Sequence, residues 1–360
     1  MAQRNSGTDE FVMHTSSLRR SGLVMVPCAL ATAWLQAAPA VEVWLTDPAG
    51  TARFERQAAQ AMFAPGEAPT NAIVVDERRS FQTIDGFGYT LTGGSAQHLL
   101  GMSASARAAL LMELFATNGT GIGVSYLRLS VAASDLNDHV FSYNDLPAGE
   151  TDPQVKRFSL GPDESTVVPV LREILSINPA VKLMGSPWSA PVWMKDNGDT
   201  RGGSLKPEWY GAYARYLVKY VQEMKARGIA IDALTVQNEP LHPGNNPSMF
   251  MPAEAQAEFI KRHLGPAFKA AGLATKIICY DHNADRPDYP ITILNDPEAK
   301  PFVDGSAFHL YKGQIGALAQ VHEAHPDKHL YFTEQWVGAP GNLRQNLSWH
   351  VSQLVVGASR

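Results

Sequence analysis

The sequence predicts an α/β fold, a (β/α)8 barrel lacking its eighth strand, preceded by strands that belong to an incomplete β-sandwich. Three observations predict it. From Phe81 onward, strand-like and helix-like segments alternate seven times, the rhythm of a parallel sheet. No glycine-rich phosphate loop follows a first strand, as a doubly wound dinucleotide fold requires. Polar and aromatic residues end many of the strands instead of lining one crevice, which is the pattern of a barrel's C-terminal face.

The elements follow in order. Val41 to Thr46 alternates like a strand, Asp47 to Gly50 is a turn, and Ala72 to Asp76 reads as a second strand. No clear helix separates these two, so residues 41–78 are expected to belong to a small β domain, with the barrel over 79–360. The first barrel strand is placed at Gln82 to Ile84, running into Gly86-Phe87-Gly88, and Ser103 caps the following helix. Strand Val124 to Val131, a polar loop and helix Ser165 to Ile177 come next. Strand Val181 to Gly185 leads to Trp188, and helix Pro207 to Arg227 stops at Gly228. The fourth strand is Ile231 to Pro240, with helix Pro252 to Ala271 behind it. Strand Lys276 to Tyr280, a proline-rich segment and strand Gly305 to Tyr311 follow. Helix Gln314 to Ala324, strand His329 to Glu334 and helix Asn342 to Val355 complete the series.

With 360 residues, 45% of them hydrophobic, the chain has ample core for one large barrel. A formal net charge of −5 and the lack of long basic runs argue against nucleic acid. Two cysteines, Cys28 and Cys279, supply neither a disulfide framework nor a thiolate metal cluster. Residues 1–40 read as an export signal: Arg19-Arg20 precede an apolar run, Gly22 to Ala38, and Ala38-Pro39-Ala40 fits a small-residue cleavage site. Met13 or Met25 are alternative starts. The run contains Pro27 and is short for a spanning helix, so no stable membrane insertion is expected.

Several chemistries are set aside. Gly119 to Gly123 is glycine-rich but lies between a helix and the next strand, the wrong end for a dinucleotide. His322-Glu323-Ala324-His325 spaces its histidines three apart, not the four of a zinc protease, and reads as a solvated helix face. No Gly-x-Ser-x-Gly elbow occurs. Two carboxylates remain: Glu239 ends the fourth strand and Glu334 the seventh, where side chains converge over a barrel mouth. Two carboxylates flanking a polar substrate are the minimum machinery of glycoside hydrolysis, one protonated while the other is ionised. Each alone reads equally well as a helix cap or ion-pair partner. Their company favours the pair. Asn238 suits a sugar 2-hydroxyl, Arg128 can hold a carboxylate ionised, Trp188 offers a flat face, and His309 and Tyr311 end the sixth strand.

These residues resemble glycoside hydrolase family 30, the family of the glucosylceramidases, from about Val41 onward. The carrying motifs are GFGYTLTGGSA (Gly86 to Ala96), SYLRLSVAASDL (Ser125 to Leu136), GSPWSAPVWMK (Gly185 to Lys195), TVQNEPLHPGNNPSM (Thr235 to Met249), FHLY (Phe308 to Tyr311) and YFTEQW (Tyr331 to Trp336). The resemblance implies a retaining β-glycosidase with Glu239 as general acid/base and Glu334 as the nucleophile of a covalent glycosyl-enzyme. It implies that Arg128, Trp188, Asn238, His309 and Tyr311 line the sugar subsite, with Trp336 a further substrate-binding candidate. No metal or organic cofactor is implied. The implied partners are β-glucosides, with glucosylceramide or β-1,6-glucan as substrates.

Two departures qualify the resemblance. An aspartate that grips the sugar's outer hydroxyls in the glucosylceramidases is replaced here by Gly93. The family's eighth strand and its C-terminal β-sandwich have no counterpart before Arg360, so a truncated chain with open sheet edges and low stability is expected. The alternative to an enzyme is then a carbohydrate-binding protein without turnover, which would show no burst release from an aryl β-glucoside.

Overall fold

A computed structural model of the protein describes residues 40–58, 61–62, 66 and 70–360. Apart from Ala40, the expected export signal, and Cys28 with it, lies outside the described residues. The chain divides into two units. One takes in the described residues up to Leu45 and those of Phe54–Ile73, and the other Thr46–Arg53 with Val74–Arg360. In the first, Ala40–Val41 pairs antiparallel with Ala61–Met62, and Trp44–Leu45 with Glu55–Arg56. The strand expected over Ala72 to Asp76 is not formed, and Ile73, Val74 and Val75 are exposed. Apolar alternation needs a paired neighbour to become a strand, and none of the described residues supplies one.

The second unit is built on a seven-stranded sheet in sequential order: β1 Gly88–Leu91, β2 Tyr126–Val131, β3 Lys182–Pro187, β4 Ala233–Thr235, β5 Lys276–Ala284, β6 Val303–Gly313 and β7 His329–Glu334. All six ladders are parallel. The sheet curls until its two edge strands, β1 and β7, approach each other. Its helices are α1 Gly93–Gly101, α2 Ala104–Phe115, α3 Val167–Ile177 and α4 Tyr210–Ala226. Then α5 Ala253–Phe259 continues through a π turn into α6 Gly265–Ala270, followed by α7 Asp288–Asn295, α8 Ala317–Ala324 and α9 Leu343–His350. Among the described residues no helix is long and apolar enough to cross a membrane.

Two boundaries correct the sequence reading. The first barrel strand lies at Gly88–Leu91 instead of Gln82–Ile84. A Cβ at Gly88 would stand 1.5 Å from the Tyr126 carbonyl oxygen, so only glycine lets β1 close onto β2. The fifth strand runs past Tyr280 to Ala284, through a bulge in which Tyr280 and Asp281 take φ of 72° and 66°.

The alternation of the strands sorts two cores. Leu127, Leu129, Leu183, Leu234, Ile277 and Phe308 face outward into the large core shared with the helices. Met184, Ala233, Ile278, Ala307 and Tyr331, with Tyr126, face inward as a separate apolar plug. Below the plug is an ionic layer. Lys182 pairs with Asp85 at 2.7 Å, and Asp304 receives Lys276 at 3.5 Å, His329 at 2.9 Å and the Tyr331 hydroxyl at 2.7 Å. Two residues further along each strand the inward positions turn polar: Arg128, Ser186, Thr235, His309 and Thr333. That polar layer is the floor of the site.

Candidate active site

At the centre of the polar floor lies Asp281, fully buried on the β5 bulge. Its carboxylate accepts from Arg128 Nη2 at 2.8 Å, from the hydroxyls of Ser186, Thr235 and Thr333 at 2.7 Å each, and from His309 Nε2 at 3.0 Å. Burial would raise its pKa. Arg128, His309 and the hydroxyl donors outweigh burial and hold it well below the usual carboxylate range. Asp281 therefore stays charged and fixes two bases of the site, Arg128 and His309, from below.

Arg128 distributes that order upward. Its Nη1 donates to Glu334 Oε2 at 2.7 Å and its Nη2 to Asn238 Oδ1 at 2.7 Å, while its guanidinium lies 4.8 Å from the Trp188 ring centre. Glu334 receives a second bond on Oε1 from the Tyr311 hydroxyl at 3.0 Å, and Tyr311 in turn accepts from the Trp336 main-chain N–H at 2.8 Å. The Trp336 ring is exposed at 67%, so its backbone rather than its ring meets the rest of the site.

Glu239 is placed differently. The chain beyond β4 keeps its register through Val236 N–H to Ile278 O at 3.1 Å, Asn238 N–H to Pro187 O at 2.8 Å and Glu239 N–H to Asp281 O at 2.9 Å. Glu239 itself adopts φ 44°, a strained conformation for a non-glycine residue. On one oxygen, Oε1, it faces His309 Nδ1 at 3.4 Å and His282 Nδ1 at 3.6 Å. On the other, Oε2, it accepts from Asn245 Nδ2 at 3.1 Å. Asn245 belongs to a clasped loop: Ser248 Oγ donates to Asn245 O at 2.6 Å, and buried Lys195 donates to Ser248 O at 2.8 Å and Thr200 O at 3.1 Å.

His309 stands between the two carboxylates, with Nδ1 3.4 Å from Glu239 and 3.8 Å from Glu334. Those contacts hold the two oxygens to no more than about 7 Å apart, below most of the inverting range of about 6.5–9.5 Å. Burial would lower the His309 pKa, but Glu334, Asp281 and Glu239 push it up to about 9. The expectation that burial raises the pKa of one glutamate fails for Glu239. Desolvation acts that way, yet the His282 and His309 contacts outweigh it and hold the carboxyl well below its ordinary value.

The structure thus brings together Glu239, Glu334, Arg128, Trp188, Asn238, His309 and Tyr311. Four residues escaped the sequence reading: Asp281, His282, Asn245 and Asp135. Asp281 and His282 were hidden because the fifth strand was ended at Tyr280, and Asn245 sits in a loop without periodicity. Asp135 lies in the quoted SYLRLSVAASDL motif. Burial first, and then repulsion from Glu334, raises its pKa, and the Trp188 indole N–H donates to it. At Gly93, the space for a side chain is taken by Asn137, whose Nδ2 stands 2.1 Å from where a Cβ would be.

Two glutamates, a buried arginine and an imidazole thus converge beyond the C-terminal side of a curled parallel sheet. Residues 84–348 match the glycosyl hydrolase family 30 TIM-barrel domain, and the chain belongs to that family. It is 36% identical over 285 residues to an endo-1,6-beta-D-glucanase of Neurospora crassa, covering 76% of this chain and 58% of that protein. It is 31% identical to the lysosomal acid glucosylceramidase of Mus musculus, covering 74% and 54%. The solved endo-beta1,6-glucanase BT3312 superposes with a TM-score of 0.82 at 35% identity, covering 88% of this chain and 71% of that one. The chain thus spans little more than half the length of the first two relatives.

Proposed function

We propose that this protein is a retaining β-glucosidase of the endo-1,6-glucanase type, with Glu334 as nucleophile and Glu239 as acid/base. The carrying observation is the asymmetric support of the two carboxylates around one imidazole. Arg128 and Tyr311 both donate to Glu334, which aims it for attack on the anomeric carbon. Glu239, facing His309, passes a proton to the leaving oxygen as the bond to Glu334 forms. In the second step it takes a proton from water, and the hydroxide equivalent displaces Glu334 from the sugar. Asn238, held by Arg128, is placed for the sugar 2-hydroxyl, and Trp188 for the ring face. Asp135 and Asn137 stand in for the aspartate that Gly93 replaces, as the donors and acceptors for outer hydroxyls.

A polymeric substrate is favoured over a glycolipid. A cleft of about 810 Å³ runs beside the mouth between the loops after β2 and β3, lined by Phe141, Asp145, Ser189, Trp193 and Asn197. That volume is in the upper part of the ~300–1,000 Å³ range of ligand sites. Exposed apolar side chains stand along both edges of the sheet: Phe87 just before β1 and Tyr89 on it, with Trp336 and Val337 after β7. The export signal remains a reading of the first forty residues. A binder without turnover is not favoured, because both carboxylates and their partners are already assembled. A 2-deoxy-2-fluoro-β-glucoside with a good leaving group should label Glu334, read by peptide mass spectrometry. Labelling at any other residue, or β-1,6-glucan left intact while other β-glycosides are cleaved, would overturn the nucleophile or the substrate respectively.

A further inference from the structure

The geometry points to a divalent transition-metal site made by Glu239, His282 and His309, at which a borderline ion such as copper(II) or zinc(II) blocks the mouth of the barrel. The three ligand atoms, Glu239 Oε1 and the Nδ1 atoms of the two histidines, lie within 4.8 Å of one another, and all three residues are buried.

Three observations carry the site. First, the two contacts to Glu239, 3.4 and 3.6 Å, are long for charge-assisted hydrogen bonds, which run at about 2.7–2.9 Å. They match instead the spacing of two ligands on one ion: with metal–ligand bonds of about 2.0–2.1 Å, tetrahedral neighbours stand about 3.3 Å apart. Second, His282 Nδ1 is a buried polar atom with no hydrogen-bond partner, aimed at that carboxylate. Orphaned nitrogens of this kind are rare in protein interiors because losing water without a partner costs free energy. Third, His309 has the outer support of a metal ligand. Its Nε2 is held by the Asp281 carboxylate at 3.0 Å, which orients the ring, places a proton on Nε2 and turns Nδ1 toward Glu239.

The ligand set selects the ion. Two imidazoles and one carboxylate suit copper(II) and zinc(II) and do not suit calcium or magnesium, which take oxygen ligands. A bound cation replaces the proton on His309 Nδ1, which leaves to solvent, and it supplies the same neutralising charge to Glu239 and to nearby Glu334. Water completes the coordination shell. Because one ligand is the proposed acid/base, the ion and a glycoside exclude each other, and that last step rests on the glycosidase reading.

Copper(II) titrated into the chelator-treated full chain tests the site, with calorimetry for affinity and electron paramagnetic resonance for the ligands. The expected result is one ion per chain in a tetragonal spectrum with coupling to two imidazole nitrogens. His282→Gln should weaken binding at least ten-fold and reduce the coupling to one nitrogen, with circular dichroism confirming that the variant is folded. Should that variant not fold, the spectrum is compared with that of His322→Gln, where loss of the two-nitrogen coupling would place the ion on the α8 histidines and overturn the proposal. Binding unchanged in His282→Gln, or a spectrum without two nitrogens, overturns the proposal in favour of a surface histidine. A third arm uses deoxynojirimycin, which should displace the ion. Two-nitrogen binding that survives saturating deoxynojirimycin leaves the metal site standing and counts against the sugar subsite, so the two readings fail separately.

Discussion

Glu239 follows the middle strand of seven and Glu334 ends an edge strand. Around Glu239 the two imidazoles are buried, and its loop, with half-buried Asn245, is clasped by Lys195, which is itself buried and has its pKa pushed down to about 8 by desolvation. Around Glu334 the chain opens: the positions of β7 are mostly half-buried, and residues 335–343 run from half-buried to exposed. The helices repeat the contrast. The α4 helix behind β3 and β4 buries nine of its residues, among them Tyr213, Tyr216 and Leu217, whereas α9 behind β7 buries none. The difference teaches how the labour is divided. On the proposed roles, the acid/base carboxylate is set in a buried cluster of imidazoles, and the nucleophile sits at an accessible edge, aimed by Arg128 and Tyr311.

The sharpest way to break that comparison is at the carboxylates. Glu334→Gln should lower turnover by on the order of 10⁴-fold or more, with no rescue by added nucleophile. Glu239→Ala should lose about 10²–10⁴-fold, and azide should restore part of it by attacking the glycosyl-enzyme. Azide rescue of the wrong variant would exchange the two roles. Next is Asp281→Asn, which leaves Arg128 and His309 without their buried counter-charge. A loss of about 3–5 kcal/mol in denaturant unfolding is expected, with kcat falling alongside.

Asp163 tests the packed side of the barrel. Burial pushes its pKa up to about 6, against the opposing hydrogen bond from Tyr143. The native state therefore holds this proton longer than the unfolded chain, and stability falls as pH rises from about 4 to about 6. Asp163→Asn should gain up to about 3 kcal/mol at pH 7 and nothing at pH 4, read by thermal melts at both values. A gain independent of pH would show that Asp163 is not the titrating group. The smallest effect separates centre from edge: Leu217→Ala on α4 should cost about 2–5 kcal/mol. Val355→Ala, half exposed after α9, should stay within about 0.5 kcal/mol.

Much of the barrel was legible because each strand carries its own periodic signature. The seventh strand was read with its observed limits, and helices α3 and α4 within two or three residues. The expected first strand failed because the β-branched Thr83 and Ile84 favour a strand locally, while the true β1 depends on Gly88 fitting against the Tyr126 carbonyl, a contact 38 residues away. Helices α1 and α7 were missed. The first hides behind two glycines and the second inside a proline-rich segment, where local propensity argues against a helix.

Sequence by itself determined the alternation of strands and helices and which two glutamates stand at or just past strand ends, because those follow from local pattern and order along the chain. Only the tertiary structure decided that Asp281 anchors the floor and that Asn245 and His282 hold Glu239. It also decided that the surroundings hold the Glu239 carboxyl below its ordinary range although burial acts to raise it. The reason is physical: a pKa and a hydrogen bond depend on which charges a three-dimensional enclosure brings together. Here that enclosure gathers Arg128, Glu239, Asp281, His309 and Glu334 from five separate strand ends.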